Sequence, residues 1–434
     1  MLAQLSHYGR ASLGIFVLIA CAYFLSRDRK NIKWRIVWSG LGFIIVLAFL
    51  MLKVSWAQFA INQVSMFFIR LMEFSDIGAA FVFGDLVTNT KSYGYIVAFH
   101  ILPNIIFFAA FSSLLYYFKI LPKIVKGFAF LLTHTFQLSG AECLAAAANV
   151  FLSQITAPLL IKPYLATMSR SEMFCVMTSG MATISGTVMI AFIGILGGED
   201  PVARLQFANN LLIVSILSAP AALVIAHIMI PKHGPVDKDV EIHYEDMGAN
   251  VVDAFSKGTD EGLRVALIIG AILISFTALI SLCNWALADG VGALLGINPL
   301  IAKLTGGFYD AFTLQFVFGI LFAPFAWVIG VPTPDLLYVG QLLGEKVVLN
   351  EIVAYISLGN GLRTGQITDP HSITLASYAL CSFANFTSMG VQICGFGALA
   401  ANQRSTVSRL AFLAVISGNL ACFLSSTIAG ALTF

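Results

Sequence analysis

The sequence contains few charged residues and no large excess of either sign. Only 11% of its 434 residues are Asp, Glu, Lys or Arg, and the formal net charge is +2. Proteins that bind nucleic acids need basic surfaces for the phosphates, so no nucleic-acid partner is indicated. Hydrophobic residues make up 59% of the chain, which is typical of an all-α polytopic membrane protein.

The sequence also lacks the spacing of a metal site or a catalytic group. Its seven cysteines are scattered, and neither HxxxH nor HExxH occurs. We interpret the cysteines as packing residues and expect no bound cofactor. An intramembrane enzyme using Glu142 or Glu351 as acid or base would need a second catalytic group, which the sequence does not provide. Glu142 and Glu345 are interpreted as helix-end residues near the interface, and buried carboxylates are the alternative.

Clusters of positive charge predict the topology. Five basic residues lie within residues 27–35, and the positive-inside rule places them in the cytoplasm. The apolar stretch before them has no small-residue cleavage pattern and is interpreted as an uncleaved first span. Both termini are then expected outside. We predict an interfacial helix at residues 56–72 and about eight spans, at residues 11–25, 36–52, 93–118, 174–196, 208–230, 265–287, 372–399 and 410–432.

Two further apolar stretches are predicted to be re-entrant hairpins. A single crossing between Lys126 and Lys162 would put Lys162 outside, whereas a hairpin over residues 127–160 keeps both lysines cytoplasmic. Its turn is expected near residues 153–158. Residues 332–356 have a similar order of elements, with Asn350-Glu351 at the tip. Each hairpin precedes a broken span and a further span, so we predict an inverted repeat with ligand sites near the midplane.

Polar breaks inside these apolar stretches are the candidate site. Irregular backbone in hydrocarbon leaves polar groups unsatisfied, so such breaks must face protein or a water-filled cavity. The tip of the first hairpin reads Ser153-Gln154-Ile155-Thr156, and the last broken span contains Asn385-Phe386-Thr387-Ser388.

The charged loop at residues 232–257 is expected to be cytoplasmic, with Pro235-Val236-Asp237 opening a surface helix or linker.

Asn149 lies just before the first tip and offers an uncharged oxygen ligand. The hydroxyl of Thr183 and the carbonyls freed at Leu152 and Ile184 would complete a set that suits a hard monovalent cation such as sodium. An amide that packs between helices explains Asn149 equally well.

Glu351 would be costly inside an apolar hairpin unless it met a donor-rich ligand, a cation or a proton. A structural pair with Lys346 is the alternative. Asn385 and Ser388 lie on one helix face and could bind hydroxyl groups. Phe383 could stack on a planar ring or serve only as packing.

Several of these segments together resemble the concentrative nucleoside transporter family. The resemblance covers the chain from about residue 81 onward and is carried by the runs Leu138 to Glu142, Ala146 to Asn149, Ala157 to Tyr164, Gly180 to Gly186, Phe322 to Trp327, Leu349 to Glu351, Ala354-Tyr355, Tyr378 to Cys381 and Phe383 to Phe386.

That resemblance implies a bacterial inner-membrane homotrimer, in which a transport domain moves like an elevator against a scaffold. The implied units are residues 1–92 and 93–121 (N-terminal and scaffold helices), 122–231 (first repeat), 232–314 (linker and long scaffold helix) and 315–434 (second repeat). It also implies residue roles: sodium at Asn149, Leu152, Thr183 and Ile184, ribose at Glu351, Asn385 and Ser388, and the base at Gln154, Val188 and Phe383.

The first tip departs from the family pattern, which usually reads Gly-Gln-Thr/Ser-Glu. The acidic residue that would contact the base is Thr156 here. Losing an acceptor opposite a buried donor costs about 1–3 kcal/mol, so base preference is open. The resemblance favours sodium-coupled import of a nucleoside or a related ribosylated compound. A proton-coupled transporter of a non-standard substrate and a non-transporting sensor are the alternatives.

Overall fold

The apolar segments of the chain fold into helices. The computed structural model describes residues 2–93, 96–232 and 248–433, and every regular element in these ranges is helical. Within these ranges, six helices are long and apolar enough to cross a membrane. They occupy Trp34–Lys53, Ala98–Tyr117, Arg170–Gly197, Pro201–Met229, Val251–Gly292 and Ala401–Thr433, and shorter apolar helices occupy Tyr8–Phe24, Leu314–Ile329 and Phe386–Leu399. The number of eight spans stays a prediction.

The N-terminal part of the chain contains three long helices and several short ones. Its helices are α1 (Leu2–Phe24), α2 (Trp34–Lys53), α3 (Ser55–Phe83), α4 (Asp85–Thr88), α5 (Thr90–Tyr93), α6 (Val97–His100), α7 (Leu102–Tyr117) and α8 (Ile120–Phe136). Helix α3 is longer than the interfacial helix predicted at residues 56–72, and its position at the interface stays a prediction.

The first hairpin begins later in the chain than the charge pattern predicts. Lys119 and Gln137 have left-handed backbone, with φ of 59° and 55°, and they separate α8 from the helices on either side. A non-glycine residue rarely adopts this conformation, so each marks a sharp turn. The predicted hairpin over residues 127–160 was therefore wrong at its start, because residues up to Phe136 belong to α8.

The hairpin itself opens the first of two similar units. This unit consists of α9 (Gly140–Asn149), a 3₁₀ turn (Ala157–Ile161), α10 (Lys162–Leu165), α11 (Arg170–Ala182), α12 (Gly186–Gly197) and α13 (Pro201–Met229). The chain between α9 and the 3₁₀ turn forms the tip. The span predicted at residues 174–196 is broken between Ala182 and Gly186, as its glycines and hydroxyl residues indicated.

The second unit follows a long connecting helix. After α14 (Val251–Asn284), which continues as a π-helix (Trp285–Gly292), come α15 (Asn298–Leu304), α16 (Leu314–Ile329), α17 (Leu336–Val348), α18 (Glu351–Thr364), α19 (Pro370–Leu380), α20 (Phe386–Leu399) and α21 (Arg404–Thr433). Helices α17 and α18 form the second hairpin, α19 and α20 the broken span, and α21 the final span. The order of elements matches the first unit, while the inverted orientation in the bilayer stays a prediction.

The charged loop predicted at residues 232–257 is shorter than expected at its C-terminal end. Residues from Val251 onward already belong to α14, which Asn250 caps through a 3.0 Å bond from the Asp253 amide. The segment Pro235-Val236-Asp237 lies outside the described residues.

Glycines allow α14 to pack closely against α7. A methyl group on Gly258 would lie 2.8 Å from the Ala110 Cα, and one on Gly262 would lie 2.8 Å from the Ile106 Cα. Small residues four positions apart permit such backbone contact in membrane helices. The Ser113 hydroxyl also donates to the Ala254 carbonyl over 2.7 Å. These two helices therefore form one closely packed pair.

A buried charge cluster connects the base of the first hairpin to α13. The Lys232 ammonium lies 2.6 Å from Glu172 and 3.7 Å from Glu142, and Glu142 lies 3.2 Å from the His227 Nε2. Glu142 is completely buried and is the third residue of α9, which confirms the helix-end position. Its location relative to the membrane interface stays a prediction. Glu345 is also buried and accepts from Gln341 over 2.8 Å.

Candidate functional site

The first hairpin tip turns back sharply after Asn149. The amides of Phe151 and Leu152 both donate to the Ala148 carbonyl. The hydroxyls of Ser153 and Thr156 lie 2.6 Å apart, and the Thr156 amide donates to the Ser153 hydroxyl. The two tip hydroxyl residues therefore hold the turn through a bond to each other.

The break between α11 and α12 lies against both the first tip and the second unit. The Gly186 amide donates to the Phe151 carbonyl over 3.3 Å, and the Phe383 amide donates to the Thr183 carbonyl over 3.3 Å. The Ser215 hydroxyl donates to the Ile184 carbonyl over 3.5 Å. The backbone groups that the break exposes thus find partners in three other segments, as irregular backbone inside a membrane protein requires.

Asn385 joins the second broken span to the second hairpin. Its side-chain oxygen accepts from the Ser388 amide over 2.8 Å and caps α20, while its side-chain nitrogen donates to the Glu351 carboxylate. Asn385 and Glu351 are both buried. No ion pair within 4.0 Å joins Lys346 to Glu351; instead Lys346 donates to the Ala379 carbonyl. The predicted alternative of a Lys346–Glu351 pair was therefore wrong.

Gln154 connects the tip of the first hairpin to the second unit. Its side-chain nitrogen donates to the Ser388 hydroxyl over 3.1 Å, and its oxygen accepts from Gln392 over 3.3 Å. Through Ser388, Asn385 and Glu351 the bonds continue to the start of α18. A single chain of hydrogen bonds therefore links both hairpins and the second broken span.

A cavity of about 240 Å³ lies beside this chain of bonds. Its volume is just under the roughly 300 Å³ at which typical ligand pockets begin, which suits a small solute. One wall comes from α7 and α14, and the other from the first tip, the start of α12 and the second broken span. The predicted site residues that line it are Leu152, Ser153, Gln154, Ile155, Thr156, Val188 and Phe383.

The remaining predicted residues lie outside the lining of this cavity. Glu351, Asn385 and Ser388 are buried and connected to it through Gln154. Asn149, Thr183 and Ile184 are also buried. The side-chain oxygen of Asn149 has no hydrogen-bond partner among the described residues, whereas its nitrogen donates to the Ala145 carbonyl over 2.9 Å.

A buried amide oxygen without a donor is costly, unless a cation occupies its lone pairs. The other groups predicted for this set, the Thr183 hydroxyl and two backbone carbonyls, are uncharged oxygens of the kind that suits a sodium ion. The Thr183 hydroxyl donates to the Ser179 carbonyl over 3.0 Å, which leaves its oxygen lone pairs available. These residues therefore fit the ion that the sequence predicts.

The sequence did not single out several residues that complete the site. Gln392 donates both to Gln154 and to the Met177 carbonyl, and an amide inside an apolar helix was the available signal. The wall formed by α7 and α14 contributes Ser112, Tyr116, Glu261 and Val265. Ser112, Tyr116 and Val265 belong to segments that were interpreted only as membrane spans. Glu261 lies between the predicted loop at residues 232–257 and the predicted span at residues 265–287.

Broken apolar helices that meet around a small, mostly apolar cavity with a few polar groups are typical of helical membrane transporters. Comparison with known proteins identifies its family. The model of the Na+ dependent nucleoside transporter C-terminus matches residues 210–430, that of the N-terminus matches residues 13–86, and a nucleoside recognition model matches residues 98–199.

Relatives match over almost the whole chain. An uncharacterized transporter of Haemophilus influenzae is 36% identical over 96% of both chains. The nucleoside permease NupC of Helicobacter pylori is 32% identical, again over 96% of both chains. The structure of CNTnw in an inward-facing substrate-bound state has a TM-score of 0.86 at 32% identity, covering 98% of this chain and 99% of that one.

The chain therefore belongs to the Na+-dependent, concentrative nucleoside transporter family. It is a multi-pass membrane transporter and not an enzyme. The resemblance found in the sequence is confirmed, and so is the all-helical membrane fold.

Proposed function

We propose that this protein imports nucleosides, or a closely related ribosylated compound, together with sodium. The observation that carries the proposal is the chain of hydrogen bonds from Gln154 through Ser388 and Asn385 to Glu351. It brings polar groups from both hairpins and the second broken span to one side of the cavity. Family members of known name, such as the nucleoside permease of Helicobacter pylori, carry related solutes.

The sugar would bind to the buried polar groups. An ionised carboxylate such as Glu351 accepts hydrogen bonds only, whereas Asn385 and Ser388 can both donate and accept. That combination suits vicinal hydroxyls, each of which donates one bond and accepts others. Gln154 would turn from its present partners toward the solute, while Phe383 and Val188 offer apolar surface to the base. The tip hydroxyls of Ser153 and Thr156 and the side chain of Ile155 complete the base side.

Sodium would bind beside the tip. Asn149, Thr183 and the carbonyls of Leu152 and Ile184 supply uncharged oxygens next to both breaks. Ion binding there would brace the first tip against α11 and so organise the substrate side. Moving one charge through 100 mV is worth about 2.3 kcal/mol, enough for roughly fiftyfold accumulation of a neutral solute.

The two units would move together against the remaining helices. In this proposal residues 122–231 and 315–434 form the transport domain, and residues 1–121 and 232–314 form the scaffold. The cavity lies between them, because one of its walls comes from α7 and α14. We further propose that the protein is a homotrimer in the bacterial inner membrane with both termini outside.

Proton coupling is the second candidate. Glu351 is buried, its carboxylate accepts from Asn385, and no Lys, Arg or His nitrogen of the described residues lies within 4.0 Å of it. Such a carboxylate could bind a proton with the substrate and release it inside. This alternative keeps the same substrate site and changes only the ion.

The test is uptake of labelled uridine and adenosine into proteoliposomes, with inward sodium and proton gradients imposed separately at fixed potential. Accumulation driven by sodium alone supports the proposal, and accumulation driven by protons alone supports the alternative. If folded protein moves neither nucleoside under any gradient, the proposed substrate class is refuted.

A further inference from the structure

The wall of the cavity formed by α7 and α14 carries an acidic side chain, Glu261. Among the residues that line the cavity within the described part of the chain, it is the only one with a formal charge. It follows Val251, the first residue of α14, by ten positions, which places it about 15 Å along that helix. Ionisable residues at such positions usually face a cavity or a partner, and they mark solute pathways.

The backbone that carries Glu261 is held firmly. The next residue, Gly262, packs against the Ile106 backbone of α7 at a distance that leaves no room for a side chain. The neighbouring turn is tied to α7 by the bond from Ser113 to the Ala254 carbonyl. The backbone at this position is therefore held against α7, and the exposed side chain of Glu261 lines the cavity.

Several other polar groups around the cavity already have partners. Ser153 and Thr156 bond to each other, Gln154 bonds to Ser388 and Gln392, and Ser113 bonds to a carbonyl. For Glu261, no Lys, Arg or His nitrogen of the described residues lies within 4.0 Å, and no hydrogen bond to its carboxylate is formed within this part of the chain. The preceding residue, Asp260, does form an ion pair, with Arg264 at 3.0 Å.

We propose that Glu261 is a specificity-determining residue that accepts hydrogen bonds from N–H groups on the ring of the transported solute. This inference rests on the proposed function. An ionised carboxylate offers acceptors only, so it favours rings with an exocyclic amino group over rings that lack one. The acceptor belongs to the wall formed by α7 and α14, opposite the first tip. A bound ring would therefore contact both sides of the cavity at once.

The test compares adenosine with purine riboside, which has the same ring and sugar but no amino group. The Michaelis constant of each is measured in proteoliposomes for the parent protein, for Glu261→Gln and for Glu261→Asp. The matched control is Asp260→Asn, which removes a carboxylate one residue away that faces Arg264 instead of the cavity. Gel filtration monitors folding of each variant.

Glu261→Gln should raise the Michaelis constant for adenosine roughly tenfold or more, while that for purine riboside changes less than threefold. Glu261→Asp should recover part of the loss, and Asp260→Asn should resemble the parent for both solutes. Equal effects of Glu261→Gln on the two solutes, or no effect on either, would overturn the inference. The proposed function would still stand if the parent protein takes up nucleosides. Failure of the parent protein to transport any nucleoside would instead refute the proposed function, and the inference with it.

Discussion

The bond between Asn385 and Glu351 allows the proposed sugar site to be tested quantitatively. Replacing Asn385 with Ala removes a hydrogen bond to a buried carboxylate, a loss of about 1.5–3 kcal/mol. It also removes the cap of α20, where the Ser388 amide loses its acceptor, at about 1 kcal/mol. Both losses should lower the stability of the protein without nucleoside. Binding should weaken as well, because the sugar would bond to the Asn385 side chain.

We expect Asn385→Ala to raise the nucleoside dissociation constant about tenfold to a hundredfold and to lower the unfolding free energy by about 2–4 kcal/mol. Titration calorimetry in detergent measures the first quantity, and thermal unfolding without nucleoside measures the second. A suitable control is Asp369→Ala, which removes the cap of α19, a 2.8 Å bond from the Ser372 amide, outside the cavity lining.

The control should lose about 1 kcal/mol of stability with unchanged nucleoside affinity. The reasoning is refuted if Asn385→Ala binds nucleosides as tightly as the parent, or if Asp369→Ala weakens binding by as much. In the first case the sugar would bind elsewhere. In the second case, loss of any helix cap would weaken binding, so the effect of Asn385→Ala could not be attributed to its bond with Glu351.

Three further substitutions test other parts of the structure. Asn149→Ala removes the unpartnered amide oxygen beside the first tip, so sodium stimulation of uptake should disappear while the protein stays folded. Lys232→Met leaves the buried Glu142 without its ammonium partner, so the free energy of unfolding in detergent should fall by about 3–5 kcal/mol. Gly262→Val would force α14 away from α7, so both the melting temperature and uptake should fall.

Each of these expectations has a control. Unchanged sodium dependence in Asn149→Ala would place the ion elsewhere. The control for the buried cluster is Lys257→Met, which removes an exposed pair with Asp253 at 3.2 Å and should lower the unfolding free energy by less than about 1 kcal/mol. If Lys232→Met lowers it by no more than that, the buried cluster stabilises the protein little. For the helix contact, Gly127→Val tests a helical glycine with no atom within 4 Å of an added methyl group, and it should change neither quantity.

Most of the helices could be predicted from the sequence because apolar length and basic clusters determine them. The breaks in the helices could also be predicted, because Gly, Ser, Thr and Asn interrupt otherwise apolar runs at residues 180–186 and 381–388. The structure places those breaks next to each other, with the Phe383 amide on the Thr183 carbonyl. Local composition thus predicted where irregular backbone occurs, but not which groups satisfy it.

The misplaced start of the first hairpin has a local cause. Gln137 takes a left-handed conformation that its residue type does not predict. Hydropathy alone runs through this position, because residues before and after it are apolar. A turn made by an ordinary residue is set by the packing around it, so the sequence pattern could not separate α8 from α9.

The missed site residues have long-range causes. Gln392 bonds to Gln154 across 238 positions of the chain, and Glu261 lines the same cavity as the first tip although about 100 positions separate them. The buried cluster of Glu142, His227 and Lys232 likewise joins distant segments. Each of these side chains looked like a single polar residue at a helix end or inside a span. Their roles depend on neighbours that only the folded chain supplies.

The two walls of the cavity are braced separately. Gln154 ties the first tip to α20 through Ser388 and Gln392, so the first hairpin and the second broken span should shift as one body. The opposite wall is held by the glycine contact of α14 with α7. One wall could then slide past the other without disturbing the bonds within either, and a solute in the cavity would touch both. We infer that this division of contacts, more than any single residue, suits the fold to moving its ligand.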